Sequence, residues 1–227
     1  SKIMPLIFLV RTLKELGATK ITLIAPYLGY MRQDKRFHEG EAVTSTIFAE
    51  LLSHYIDKII TIDPHLHRHK NLEEIYACAC KVLTATPLMA EWIATHITNP
   101  LIIGPDRESE QWVKNVAAQS NAPYVILDKT RRGDHDVEIT LPDVTTYKNH
   151  TPVMIDDIIS TGGTIIKAAQ LLRQKGFTNI ICLAMHGLFA GDAYEKLLQA
   201  NIRIITANTI PHGSNGMNIA NMLGAEC

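Results

Sequence analysis

VMIDDIISTGGTII (residues 153–166) sets an apolar run against two adjacent acids, Asp156 and Asp157, then a Thr-Gly-Gly-Thr turn and a second apolar run. A Val/Ile-rich strand that passes through a glycine turn into a helix is the unit from which parallel α/β sheets are built. The turn also poses a chemical question. Glycine turns that open helices suit phosphate, which their free N–H groups bind, yet two carboxylates in the same turn repel it. A dinucleotide fingerprint requires GxGxxG and a P-loop requires Lys after its glycines; Thr161, Gly162, Gly163 and Thr164 satisfy neither. They suit a monoester phosphate, whereas Asp156 and Asp157 suit neighbouring sugar hydroxyls or a magnesium ion. Ribose 5-phosphate carries a phosphate and a diol at such a separation. The bland alternative is a helix capped by Thr161 with solvated aspartates, and the ordered string of strand, two acids and turn argues against it.

Working outward, the same alternation fills the chain. Leu6, Leu9, Val10, Leu13 and Leu16 keep helical spacing after Pro5, and KITLIAP follows as a buried strand. Residues 43–56 read as helix and KIITID as strand; then come helix 87–97, strand LIIG, helix 108–119 and the strands YVILD, VEITL and PVMID. Helix 162–175, strand IICLAM, helix 190–199 and strand RIITA complete an α/β chain with mostly parallel sheet. In such sheets ligands bind beyond the carboxyl ends of strands. Asp63, Asp106, Asp128, Asp156 and Asp157 all follow apolar strands and are candidate site residues. IITIDPH and VMIDDI each end a buried strand with an acid, as two related half-domains do.

The chain has 227 residues, 46% hydrophobic and 20% charged, with a net charge of −1. It has no basic field for nucleic acid, so an anionic ligand must be held locally. Four cysteines without a second closely spaced pair exclude a disulfide framework and fit a reducing cytoplasm. No apolar run approaches the roughly 18 residues of a membrane span.

The strings PYLGYMRQDKRFHEGEAVTS, TIDPHLHR, GPD, LDKTRRGD, MHGLFAGDA and NTIPHGSN, together with the opening segment, resemble successive blocks of the ribose-phosphate diphosphokinase family, in order and across essentially the whole chain. The resemblance implies two type I phosphoribosyltransferase-like domains with mostly parallel sheets, the first N-terminally truncated. Residues 1–80 plus 213–227 are expected to form the ATP side and residues 81–212 the ribose 5-phosphate side. It implies transfer of a diphosphoryl group from MgATP to the 1-hydroxyl of ribose 5-phosphate, and a homo-oligomer. Arg32 and Gln33 are placed on ATP, His65 and Asp106 on Mg2+, and Lys129 and Arg131 at the transferring group. Asp156, Asp157, Thr161, Gly162, Gly163 and Thr164 are placed on ribose 5-phosphate. Thr130 to Asp136 read as a loop able to close. His67 and His69 read as a surface cluster.

Three features depart from the family pattern. Arg107, Glu108 and Ser109 stand where small residues let backbone amides approach a diphosphate, and Arg107 offers a side-chain cation instead. Ser160 stands where a further acid is common, and no counterpart of the family's N-terminal segment precedes Ser1. Two other readings use the same turn: a phosphoribosyltransferase, which does not need the RQD, DPH and KTRR blocks, and a non-catalytic sensor of sugar phosphates or nucleotides.

Overall fold

The structure is a computed structural model that describes residues 2–132 and 136–226. The chain divides between Thr84 and Ala85 into two compact units. In the first unit, α1 (Ile3–Glu15), β1 (Thr22–Ile24), α2 (Thr44–Ser53), β2 (Lys58–Ile62) and β3 (Ala79–Leu83) build a three-stranded parallel sheet in the order β1-β2-β3. Ile59, Ile60, Thr61 and Ile62 of the central strand are fully buried, as expected of a strand covered on both faces. Val10 of α1 and Ala49 and Leu52 of α2 pack into this core with Ile59 and Tyr76. Phe8, Leu9 and Leu16 of the α1 segment stay exposed, so its apolar residues exceed what one buried face needs.

The second unit contains α3 (Thr86–His96), β4 (Pro100–Gly104), α4 (Glu110–Gln119), β5 (Tyr124–Ile126), β6 (Asp128–Arg132) and β7 (Asp136–Thr140). It continues with β8 (Thr151–Ile159), α5 (Gly163–Gln174), β9 (Ile180–Gly187), α6 (Ala193–Gln199), β10 (Ile202–Ala207), β11 (Asn215–Met217) and α7 (Ala220–Gly224). Its main sheet is parallel in the order β11-β10-β9-β8-β4-β5, while β6 and β7 form a separate antiparallel pair. From β4 the chain steps outward to β5, then returns to β8 on the other side of β4 and steps outward to β9 and β10. The connections after β4 and β8 therefore diverge, and a crevice at such a switch point is where open α/β sheets bind ligands. Adjacent strands deliver Asp106 and the pair Asp156 and Asp157 to that point.

Sequence periodicity locates most of these elements but not all. The exposed strand β3, with its burial alternating weakly, carries no period to detect. Of the segment Thr130 to Asp136 expected as a loop, Thr130–Arg132 and Asp136 belong to the paired strands β6 and β7, and residues 133–135 lie outside the described residues. Residues 213–227, expected with the first domain, belong to the second unit, where β11 pairs with β10. Side chains of the IPHGSN block fasten that edge: Thr206 Oγ1 lies 2.8 Å from Ser214 Oγ, and Asn215 Nδ2 donates to Thr206 Oγ1 at 2.9 Å and to Ala207 O at 3.0 Å.

Candidate functional site

Asp156 and Asp157, expected after an apolar strand, lie within β8 just before its last two residues, as half-buried neighbours. Each carboxylate turns back onto the next amide: Asp156 Oδ1 accepts from Asp157 N–H at 3.0 Å, and Asp157 Oδ1 accepts from Ile158 N–H at 2.8 Å. Asp156 and Thr164 border a small cavity otherwise walled by apolar side chains, among them Ile103, Met154 and Ile165, with Cys182. Burial there pushes the Asp156 carboxyl well above the ordinary carboxylate range, helped by the charge of Asp157, its hydrogen bonding and the charge of Asp106. The buried Cys182 thiol is pushed up too, by burial and then by Asp156.

The turn that follows leaves its donors open. The residue capping α5 is Gly162, with φ 72°, and no side chain caps the helix, so Thr161 is not the cap. Glycine suits this position: φ is in the left-handed region, and an added Cβ would lie tightly against Leu197, 3.0 Å from its Cδ1. The first helical bond runs from Ile166 N–H to Gly162 O at 3.0 Å, so the helix does not use the N–H groups before it. Thr161 and Gly163 are exposed and Thr164 is half-buried. Ala190 N–H donates to Ser160 O at 3.1 Å and holds the start of the turn. The result is a set of backbone donors, not used by the helix, at its positive end.

On β4, Gly104 is packed so closely that an added Cβ would lie 2.6 Å from Ile126 Cδ1 and 2.8 Å from Val113 Cγ2. The following turn is closed by Ser109, whose N–H donates to Asp106 Oδ1 at 3.2 Å and whose Oγ donates to Asp106 O at 2.7 Å. The exposed Arg107 side chain donates from Nε to Asp128 Oδ1 at 2.8 Å. Lys129 and Arg131 pair through their backbones with Ile139 and Val137 of β7; their side chains lie outside the described part of the chain.

In the first unit, Arg32 is exposed and Gln33 half-buried. Gln33 O accepts from Ser45 N–H at 3.3 Å, and Gln33 Oε1 accepts from Thr44 Oγ1 at 3.5 Å, which fixes this residue against the first turn of α2. The loop beyond is closed by Glu41, whose Oε2 accepts from Phe37 N–H and His38 N–H at 3.1 Å each. After β2, Asp63 holds φ 36°, a conformation that costs energy for any residue but glycine. His65 is half-buried, and its ring meets that of His67 edge-on at 4.0 Å between centroids. His67 is thus a packing partner of His65. His69 is paired separately, its Nδ1 3.3 Å from Glu74 Oε2.

Comparison with known proteins bears on the family of the chain. Residues 1–55 match the model of the N-terminal domain of ribose phosphate pyrophosphokinase, and residues 72–216 match that of the phosphoribosyl transferase domain. A ribose-phosphate pyrophosphokinase of Sulfolobus acidocaldarius is 35% identical over 221 residues, which cover 96% of this chain and 75% of that protein. The chain belongs to the ribose-phosphate pyrophosphokinase family. The Sulfurisphaera tokodaii ribose-phosphate pyrophosphokinase is 34% identical with the same coverage. The crystal structure of phosphoribosylpyrophosphate synthetase from Mycobacterium smegmatis superposes with a TM-score of 0.82 at 27% identity, over 98% of this chain and 75% of that one. Membership in this enzyme family agrees with the α/β architecture and parallel sheets of both units.

One residue that the sequence reading left without a role is His186, 1% exposed within the MHG block. Thr209 Oγ1 donates to Met185 O at 3.0 Å, so it must accept from His186 Nδ1 at 2.8 Å, which fixes Nδ1 as the protonated nitrogen. No helix among the described residues is long and apolar enough to cross a membrane.

The raised Asp156 carboxyl makes a prediction about stability. Its contribution is full below the unfolded value, about 4, and is lost as pH rises through the raised folded value. Asp156→Asn keeps the acceptor for Asp157 N–H but carries no charge. The variant should therefore be more stable than wild type at pH 7 and converge with it near pH 3. Denaturant titrations across that range would contradict this if the two stabilities stayed parallel.

Proposed function

We propose that this chain transfers the diphosphoryl group of MgATP to the 1-hydroxyl of ribose 5-phosphate, giving 5-phosphoribosyl 1-diphosphate and AMP. The observation that carries the reading is the junction of β8 and α5 in a chain of this family: uncapped helix donors beside two carboxylates at a topological switch point. The donors before Ile166 and the hydroxyls of Thr161 and Thr164 hold the 5-phosphate, with Gly162 and Gly163 keeping the backbone accessible. Asp157 accepts from the ribose hydroxyls. Asp156, with its raised carboxyl, supports that contact as a donor or acceptor.

The carboxylates also fit a magnesium ion. Asp156 is raised in part by the charges of Asp157 and Asp106, a repulsion that a divalent cation relieves. His65 and Asp106 are each proposed as a magnesium contact. Magnesium, when bound, neutralises triphosphate charge. Arg32 supplies a cation to the ATP phosphates, and Gln33 presents its amide toward the adenine end. In the reaction the sugar 1-oxygen bonds to the β-phosphorus of ATP, the bond to the α-phosphate breaks, and the hydroxyl proton leaves. Lys129 and Arg131 stabilise the charge that moves onto AMP.

Lys129→Ala should leave binding of ATP and of ribose 5-phosphate nearly intact while AMP production falls about a hundredfold or more, the scale of one preorganised electrostatic contact. Wild-type turnover in Lys129→Ala and Arg131→Ala would refute the assigned role.

We further propose a homo-oligomer in which the exposed residues Phe8, Leu9 and Leu16 are covered by a second copy. Light scattering should show at least a dimer, and Phe8→Glu should weaken it; a monomer at micromolar concentration would contradict this. The free thiols of Cys78, Cys80 and Cys182 accord with a reducing cytoplasm.

A further inference from the structure

Asp34 follows Arg32 and Gln33 in sequence, yet its side chain is only 8% exposed. Carboxylates rarely sit so deep unless paired. Its partner is Arg68, whose Nε lies 3.3 Å from Asp34 Oδ1 and whose side chain is 51% exposed. Arg68 stands three residues after His65 on the segment that leaves β2. Gln33 is already fixed to the first turn of α2, and Met31 is buried at 1% exposure. Consecutive residues of the loop are thus tied to two different elements, and Arg32 is presented between buried Met31 and these two anchors.

We propose that Asp34 and Arg68 are a positioning pair that couples the loop carrying Arg32 and Gln33 to the segment carrying His65. The proposal rests on the reading of Arg32 and Gln33 as ATP contacts. Neither partner touches the reacting atoms; the pair sets where the loop stands before ATP arrives, so its loss appears in ATP binding rather than in the chemical step. The burial of the two groups also differs. Removing Arg68 leaves a nearly buried carboxylate without its cation, whereas neutralising Asp34 leaves a guanidinium that water already solvates.

The experiment compares Arg68→Ala, Arg68→Lys, Asp34→Asn and the double variant Asp34→Asn/Arg68→Ala with the wild type, with magnesium present. Arg68→Ala should raise KM for ATP about tenfold, the loss of roughly one charge-assisted contact, with kcat and KM for ribose 5-phosphate within about twofold. Arg68→Lys, which keeps the cation, should stay near wild type. Arg68→Ala should be the least stable variant, and adding Asp34→Asn should restore stability while KM for ATP stays raised. Wild-type KM for ATP in both Arg68→Ala and Asp34→Asn, in an active protein, would overturn the proposal and leave the reading of the reaction standing. No AMP from the wild type would remove both. Amide hydrogen exchange of residues 31–36 reads the tether without catalysis: it should quicken in Arg68→Ala, and unchanged exchange would overturn the proposal whatever the activity.

Discussion

Two carboxylates on consecutive residues at the end of a buried strand are the constraint around which the second unit is arranged. Asp156 and Asp157 cannot move apart, being consecutive residues of β8, which pairs with β4 up to Met154 and with β9 up to Ile159. On Asp156 the largest influences are burial and the neighbouring acids Asp157 and Asp106. A carboxyl held this way keeps its proton or gains a cation or a hydroxyl partner. The same strand end delivers an uncapped helix start within a few residues, so anion and cation preferences lie side by side. That juxtaposition fits a phosphorylated sugar better than a phosphate alone.

Much of this was legible because it depends on local chemistry. The apolar run before Asp156 requires a buried strand, and the glycines after it require a turn, whatever the rest of the chain does. The α5 cap shows the limit of that logic. Thr161 has a good capping side chain, yet Gly162 takes the capping position because the chain must enter the helix through a left-handed residue pressed against Leu197. Leu197 lies on a different helix, and its approach cannot be read from residues 160–164. The strand assignment of Thr130–Arg132 was hidden for a related reason: charged residues carry no apolar period, and pairing with β7 alone orders them.

Long-range pairing also explains the other differences. Residues 213–227 carry no signal for which sheet they join; Asn215 and Ser214 decide it by bonding to Thr206 of β10. Arg107 offers a cation in sequence, and its Nε contact with Asp128, 21 residues away, is one that no local pattern announces. That contact links the turn after β4 to the first residue of β6. Both partners are well exposed, so the pair contributes little to stability. Asp34 and Arg68 make the contrasting case, since one partner is nearly buried and its loss of a counter-charge matters more.

The account stands or falls on which bond of ATP breaks. Incubation with ribose 5-phosphate, magnesium and ATP labelled at the β-phosphorus separates the possibilities in one measurement. Diphosphoryl transfer puts the label on the sugar and leaves unlabelled AMP. Label retained in ADP would mean transfer of a single phosphoryl group, and label remaining wholly in ATP would mean a binding protein; either result would contradict the account.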